Sequence, residues 1–336
     1  MTSVQYGDAI REGFQYLLGT DPSVVVIGQG LWSPWYVGNT MRDLEHEFGK
    51  DRVIDTPVSE LACTGAAIGA AMSGYRPIVT HPRVDFALLA IDQMVNQAAK
   101  WNSMFGGQAP VPVVFRLIVN RGGEQGAQHS QSLYSWFAHI PGLRVVTPAT
   151  PADARDLLIA ATFSDDPVVY IDDRWLYDLD ADIGVPAPVD LSKIEPQVLR
   201  QGSDITLVGF SWTTRLMTQA ADQLALEGVD AEVIDLRVLN PLHLEKVFAS
   251  VAKTGRLVVA EGDWSSCGVA AEVICQCVTE LGPSAFSSAP ARINLAQSPA
   301  PTSRPLEASY YPTVDDVVRA ARASCDANPK TEAVAQ

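Results

Sequence analysis

Apolar positions along this chain keep two rhythms, and the rhythms divide it into elements. Residues 4–19 repeat at helical spacing, with Ile10, Phe14, Leu17 and Leu18 on one face. Ser23-Val24-Val25-Val26-Ile27-Gly28 is a β-branched run ending in glycine, the pattern of a parallel strand buried on both faces. Runs of the same kind stand at 52–55, 76–80, 110–116, 143–148 and 167–172. Helices are predicted between them at 40–48, at 60–74, from about 87 to 100, and at 151–162, where Pro151 suits a first turn. Strands alternating with helices in this way predict a doubly wound α/β sheet.

The pattern breaks between Asp178 and Pro196, where Asp, Gly and Pro dominate. This places a first domain at 1–180, a linker at 181–198 and a second α/β domain at 199–336. Strands are expected there at 204–210, 231–236, 256–261 and 291–295, and helices near 213–228, 241–252 and 267–281. Gly228 sits where the first of those helices ends. Beyond Ala323 the tail is polar and expected to fray.

Composition narrows the class. The 336 residues are 47% hydrophobic and 19% charged, ample for two cores. Net charge is −15, from 24 basic and 39 acidic residues, with no basic cluster. Binding to nucleic acid or to an anionic membrane is therefore not expected. No apolar run is long enough to span a bilayer, and the N-terminus lacks a charged-then-apolar signal pattern. The 5 cysteines are scattered, and Cys275-Gln276-Cys277 lacks the spacing of a zinc knuckle or redox pair. They read as reduced and structural, as in a cytoplasmic protein.

Candidate chemistry centres on Asp55-Thr56-Pro57-Val58-Ser59-Glu60, followed by a long uncharged run of small residues. That run suits a buried helix open to close backbone approach. Glu60 at its mouth is either a helix-start acid below a Ser59 or Thr56 cap, or a carboxylate in low dielectric placed to exchange a proton. Gln29 to Tyr36 is an aromatic-rich loop at a strand's carboxyl end, where ligands sit in open α/β sheets. His81-Pro82-Arg83 follows another strand. Arg83 could meet a carboxylate or sugar phosphate, or pair with Asp85 in a turn. The Gly-rich loop Asn120–Gln131 carries His129, an acid, base or oxyanion donor near neutral pH.

These segments in this order resemble the β subunit of thiamine-diphosphate-dependent 2-oxo acid dehydrogenases (E1β), with transketolase-like pyrimidine-binding and C-terminal domains. The likeness rests on Thr56-Pro57-Val58-Ser59-Glu60, Asp92-Gln93-x-x-Asn96, Gln128-His129-Ser130-Gln131 and Trp136 to Leu143. It implies that Glu60 bonds N1′ of the cofactor's aminopyrimidine, that Phe86 lies against that ring, and that His129 lines the active site. His139 fits a structural histidine of the family. The magnesium- and diphosphate-binding Gly-Asp-Gly…Asn segment is missing here, since Gly7-Asp8-Ala9 and Gly262-Asp263-Trp264 both fail it. The resemblance thus implies an α subunit that holds Mg2+ and the diphosphate in an α2β2 heterotetramer. It also implies oxidative decarboxylation of pyruvate or a related 2-oxo acid, with acyl transfer to a lipoyl acyltransferase or other carrier protein.

Departures are informative. Gln29-Gly30 stands where the family places an acidic pair near the cofactor, and His81 and Arg83 replace a Phe/Thr region. A potassium ion held in family members maps onto Val113, Ala161, Thr162, Ser164 and Asp166, with Ser164 in place of a usual acid. Two further readings stay open: a two-component transketolase-like enzyme moving a two-carbon unit from a ketose, and a non-catalytic scaffold subunit, against which Glu60 argues.

Overall fold

The structure is a computed structural model that describes residues 3–186 and 188–327. The chain forms two compact units, Met1–Ile194 with Val238–Pro241, and Glu195–Arg237 with Leu242–Gln336. The first unit holds a seven-stranded sheet in the spatial order Val238–Asn240, Arg144–Val146, Val168–Asp173, Val114–Val119, Arg76–His81, Val24–Gly28, Val53–Asp55. All neighbours are parallel except Val238–Asn240, which runs antiparallel to Arg144–Val146. The central strands are buried at every position, which is why they read as continuous apolar runs. Helices Tyr6–Thr20 and Pro151–Phe163 pack together on this sheet, with Phe14, Leu17, Leu157 and Leu158 in one core.

The strand that comes first of these in the chain, Val24–Gly28, lies inside the sheet. The next, Val53–Asp55, pairs on one side of it, and the third, Arg76–His81, on the other. The winding direction reverses between Val24–Gly28 and Arg76–His81, and in doubly wound sheets a crevice forms outside the carboxyl ends of the strands at such a point.

Several local expectations change in the structure. The strand expected at 110–116 is Val114–Val119, because Pro110 and Pro112 cannot donate to a ladder. The helix expected at 40–48 is reduced to Leu44–Phe48, preceded by a short strand Tyr36–Asn39 and by Asp43 at φ 64. The helix expected near 87–100 is broken into Val84–Ala87, a 3-10 turn at Leu88–Ala90, a π turn at Gln93–Ala98 and Ala99–Met104. In that π turn Asn96 Nδ2 donates to Asp92 Oδ1 at 2.7 Å, so two signature residues bond each other. The small-residue helix spans Glu60–Met72 and is buried along one face only, at Thr64, Ala67, Ile68 and Ala71. A Cβ on Gly69 would meet nothing within 4 Å.

Leu191 and Ile194 belong to the core of the first unit, which puts most of the 181–198 segment there. The second unit is a five-stranded sheet in the order Gln197–Arg200, Ala231–Asp235, Ile205–Gly209, Leu257–Trp264, Ala291–Leu295, with its first strand antiparallel. Helices Trp212–Leu226, Glu245–Thr254 and Val269–Leu281 stand close to their expected places. A further helix, Val314–Asp326, starts on a capping box between Thr313 and Asp316 and carries order past Ala323. The rest of the expected polar tail, 328–336, lies outside the described residues. All of the cysteines are free thiols.

Candidate active site

The register of the first sheet gathers the candidate residues at one edge. Gly28 faces both Asp55 and Thr80, His81 faces Leu117, and Val119 faces Asp173. The loops that leave these strand ends carry Gln29, Thr56–Ser59, Pro82-Arg83, the His129 loop and Arg174.

A cavity opens where the winding reverses. Gly28, Gln29, Thr56, Glu60, Thr80 and His81 are among the residues that line it. Glu60 is the first residue of its helix, and Ser59 does not cap it, since Ser59 Oγ donates to its neighbour's carbonyl, Val58 O, at 2.7 Å. Glu60 is half-buried in the single chain, so the dry surround expected for it is incomplete here. Val58 and Leu61, on either side of the turn, are 67% and 54% exposed. Large apolar groups flank the carboxylate with nothing over them in this chain.

His81 is buried, with Nε2 3.3 Å from Thr64 Oγ1. Burial pushes its pKa down to about 4, so the imidazole is neutral at pH 7. Gln29 Nε2 donates to Tyr36 Oη at 2.6 Å, which orders the loop between them. Asp55 Oδ1 accepts from the Gly30 and Leu31 backbone nitrogens at 2.6 and 3.3 Å. Gly30 stands at φ +70, and a Cβ there would come within 2.2 Å of the Tyr36 ring.

Phe86 and His129 meet edge to face, with ring centroids 5.3 Å apart. Phe86 is exposed, so its ring is free to take a planar partner. The His129 loop is tied down on both sides. Gln131 donates to Asp85 Oδ1 through its backbone N at 3.2 Å and its side-chain Nε2 at 2.9 Å. Burial raises the Asp85 pKa, opposed by those two bonds. Asp85 is thus spent on Gln131, not on Arg83, and Arg83 Nη1 donates to His129 O at 3.4 Å. His139 is exposed and ends the short helix Tyr134–Ala138.

Two buried ion pairs hold this edge from beneath. Arg121 Nη2 lies 2.8 Å from Asp173 Oδ2, both fully buried. Arg116 grips Asp172 through Nε at 3.0 Å and Nη2 at 2.9 Å, and reaches Thr40 Oγ1 at 3.0 Å. Tyr177 Oη donates to Asp172 Oδ2 at 2.5 Å. The charges are therefore paired, and those of Arg116 and Asp172 are also hydrogen-bonded, as burial demands.

At the potassium positions each named oxygen already accepts a hydrogen bond. Arg76 Nη1 donates to Thr162 O and Ser164 O, each at 3.0 Å. Asp166 Oδ2 takes Arg144 Nε at 2.6 Å, Val113 O accepts from Val168 N at 2.9 Å, and Ala161 O accepts from Ser164 N at 3.3 Å. A guanidinium already brings positive charge to this carbonyl cluster. Among the described residues no group of three or more His, Cys, Asp or Glu side chains is placed to hold a metal ion.

The sequence pointed to Glu60, Gln29, His81, Phe86, His129 and Arg83, and the structure sets all of them at one sheet edge. Glu60, Gln29 and His81 share the cavity wall, while Phe86, His129 and Arg83 form a second group on the adjoining loops. Asp55 and Arg174, which position these loops, went unread, and Asp85, read as a turn partner of Arg83, serves Gln131 instead. Asp55 alone carried a signal, as an acid closing an apolar run.

A half-buried carboxylate, a neutral imidazole and an exposed aromatic face suit a planar, protonatable heteroaromatic ring. Residues 2–178 match the transketolase pyrimidine binding domain, and residues 195–317 match the transketolase C-terminal domain. Pyruvate dehydrogenase E1 component subunit beta-2 of Oryza sativa subsp. japonica is 38% identical over 327 residues, covering 95% of this chain and 85% of the relative. The chain belongs to the E1 β-subunit family. The beta subunit of acetoin:2,6-dichlorophenolindophenol oxidoreductase from Cupriavidus necator is also 38% identical, over 94% of this chain and 95% of its own. The mitochondrial pyruvate dehydrogenase E1 β subunit of Homo sapiens is 38% identical over 93% of this chain and 88% of its own. A solved split-gene transketolase, described as an inactive beta4 tetramer, shares the fold at a TM-score of 0.75 and 21% identity, over 96% of this chain and 97% of that one. As an E1 β subunit the chain is a component of a thiamine-diphosphate enzyme. Among the described residues no helix is long and apolar enough to cross a membrane.

Proposed function

We propose that this β subunit holds the aminopyrimidine end of thiamine diphosphate, and that an α subunit completes the site in an α2β2 heterotetramer. The observation that carries the reading is Glu60 in the cavity at the winding reversal, with Phe86 and His129 on the adjoining loops. Thiamine diphosphate, when bound, supplies a carbon nucleophile and an electron sink. Glu60 gives and takes the proton at the ring nitrogen. Phe86 supports the ring's face. His81 stays neutral, so no second positive charge opposes that proton exchange. His129, half-buried on the adjoining loop, is the acid or base for a substrate oxygen. The α subunit brings the donors for magnesium and the diphosphate, and it covers Val58 and Leu61, drying Glu60. No potassium ion is required, because Arg76 supplies the charge at the carbonyl cluster.

The reaction proposed is oxidative decarboxylation of pyruvate or a related 2-oxo acid, the acyl group passing to a lipoyl group on a carrier protein. Transfer of a two-carbon unit from a ketose is the second reading. Arg83, which has no carboxylate partner, and the uncharged Gln29-Gly30 favour it. The test is activity of the co-purified αβ complex with thiamine diphosphate and magnesium, for wild type and Glu60→Gln. Reduction of a dye by 2-oxo acids, lost by at least about 100-fold in the variant, supports the first reading. Reaction with ketoses and an aldose acceptor only would replace it with the second. Full activity of Glu60→Gln would remove the central residue from the mechanism.

A further inference from the structure

The sheet edge that carries Glu60 also carries two guanidinium groups with no acid to hold them. Arg83 follows the strand Arg76–His81, and Arg174 follows the strand Val168–Asp173, two strands across. Strand spacing puts their backbones on the order of 10 Å apart, within joint reach of two long side chains. Arg83 makes one long bond, from Nη1 to His129 O at 3.4 Å. Arg174 donates through Nη2 to Tyr36 O, and its Nε is buried without a hydrogen-bond partner. Among the described residues neither side chain forms an ion pair, although Arg116, Arg121, Arg144 and Arg155 all do. The nearby carboxylate, Asp85, gives Oδ1 to Gln131, and its Oδ2 is buried.

The two groups feel each other. Burial lowers the Arg83 pKa, and the charge of Arg174 lowers it further, against smaller opposing effects of Asp85 and Tyr36. Two like charges left together at a ligand edge, with donors unspent, are an arrangement that an oxyanion relieves. A phosphate or carboxylate accepts the planar fork of each guanidinium in charge-assisted bonds. The place is also right for a substrate. Pro82, next to Arg83, lines the Glu60 cavity, and Tyr36, which accepts from Arg174, is held by Gln29 of the same cavity.

We propose that Arg83 and Arg174 form an oxyanion subsite beside the Glu60 cavity, and that the substrate of this enzyme carries a negatively charged group that docks there. The proposal rests on the thiamine-site reading for its location. It separates this chain from relatives named for acetoin, a neutral compound. The oxyanion has two possible sources, the carboxylate of a 2-oxo acid or a phosphate ester on a ketose.

The experiment uses the αβ complex with thiamine diphosphate and magnesium, as wild type, Arg83→Gln and Arg174→Gln. One arm measures binding of inorganic phosphate by calorimetry. The other measures kcat/KM for matched pairs: pyruvate against acetoin, and a ketose phosphate against the same ketose without phosphate. Phosphate should bind to wild type and weaken by about 10- to 100-fold in either variant. The preference for the charged member of one pair should fall by a similar factor, and which pair responds names the source. Arg83→Lys and Arg174→Lys should recover part of the preference, because they restore charge without the fork. Absence of phosphate binding to wild type, equal loss on charged and neutral substrates, or loss of α-subunit assembly in the variants would each overturn the subsite. Should neither substrate class react while phosphate binding still depends on both arginines, the thiamine reading falls and the subsite stands.

Discussion

Phe86 meets His129 edge-on, with their ring planes at 86°. The contact uses the edge of one ring and leaves faces open. It couples a residue proposed to support the cofactor to one proposed to act on the substrate. Phe86→Ala should therefore raise the apparent KM for thiamine diphosphate by about 2- to 10-fold, the loss of one aromatic contact of roughly 0.5–1.5 kcal/mol. It should also lower kcat, since His129 loses its neighbour. Titration of the αβ complex with cofactor checks this, and an unchanged KM would place Phe86 outside the cofactor site.

His81 should make the protein acid-sensitive. Its folded pKa is about 4, below the usual 6.5, because burial disfavours the charged ring. Between those values the unfolded chain binds the extra proton, so stability falls as pH falls through the window. From pH 7 to pH 5 the loss should be roughly 2 kcal/mol, at 1.36 kcal/mol per pH unit. Denaturant unfolding of wild type and His81→Phe at both pH values reads the difference. Parallel pH profiles for the two proteins would contradict the assignment.

Glu261 should act with the opposite sign. It lies in the second unit, accepting from Ala270 N at 3.1 Å and from Asn294 Nδ2 at 2.5 Å. Burial pushes its pKa up to about 7. The folded state then binds the extra proton between about 4.5 and 7. The stability it contributes is complete below that window and lost as pH rises through it. Glu261→Gln should narrow that loss, seen as a smaller fall in unfolding free energy between pH 5 and pH 8 than in wild type.

Breaking the Arg116–Asp172 pair should be severe. Both side chains are fully buried, and either alone would leave an uncompensated charge. Asp172→Ala should cost about 3–5 kcal/mol. Arg116→Met with Asp172→Leu should cost clearly less than the sum of the single changes. A double-mutant cycle by denaturant unfolding tests the coupling, and additive losses would argue against it.

Arg76 predicts indifference to potassium. Its Nη1 already serves Thr162 O and Ser164 O. Exchanging potassium for sodium at constant ionic strength should leave both activity and Tm unchanged. A rise of several degrees in Tm with potassium alone would restore the ion to this cluster.

The sequence yields the strands and helices whose cause is local. Val24–Gly28 and Pro151–Phe163 follow from β-branched runs and a first-turn proline. Glu60 and His129 were readable only through short motifs in a fixed order. What stayed hidden depends on distant partners. Nothing near Val238 predicts that it pairs with Val146, and nothing near Arg116 predicts Asp172, 56 positions away. The broken helix after Phe86 escaped because apolar spacing does not distinguish α from π winding. Arg174 reads as an ordinary charge after a strand until the topology sets it near Arg83.

The edge strand Val238–Asn240 has an evolutionary consequence. It belongs to the first sheet, yet its residues interrupt the stretch of chain that builds the second unit. One cut after Ile194 therefore does not release two self-sufficient modules. The leading fragment would present Arg144–Val146 as a bare edge, open to pairing with other chains. Fission, shuffling or separate inheritance of the halves would have to carry that segment along or find a substitute for it. The first sheet is completed by a strand of three residues drawn from the later stretch of chain.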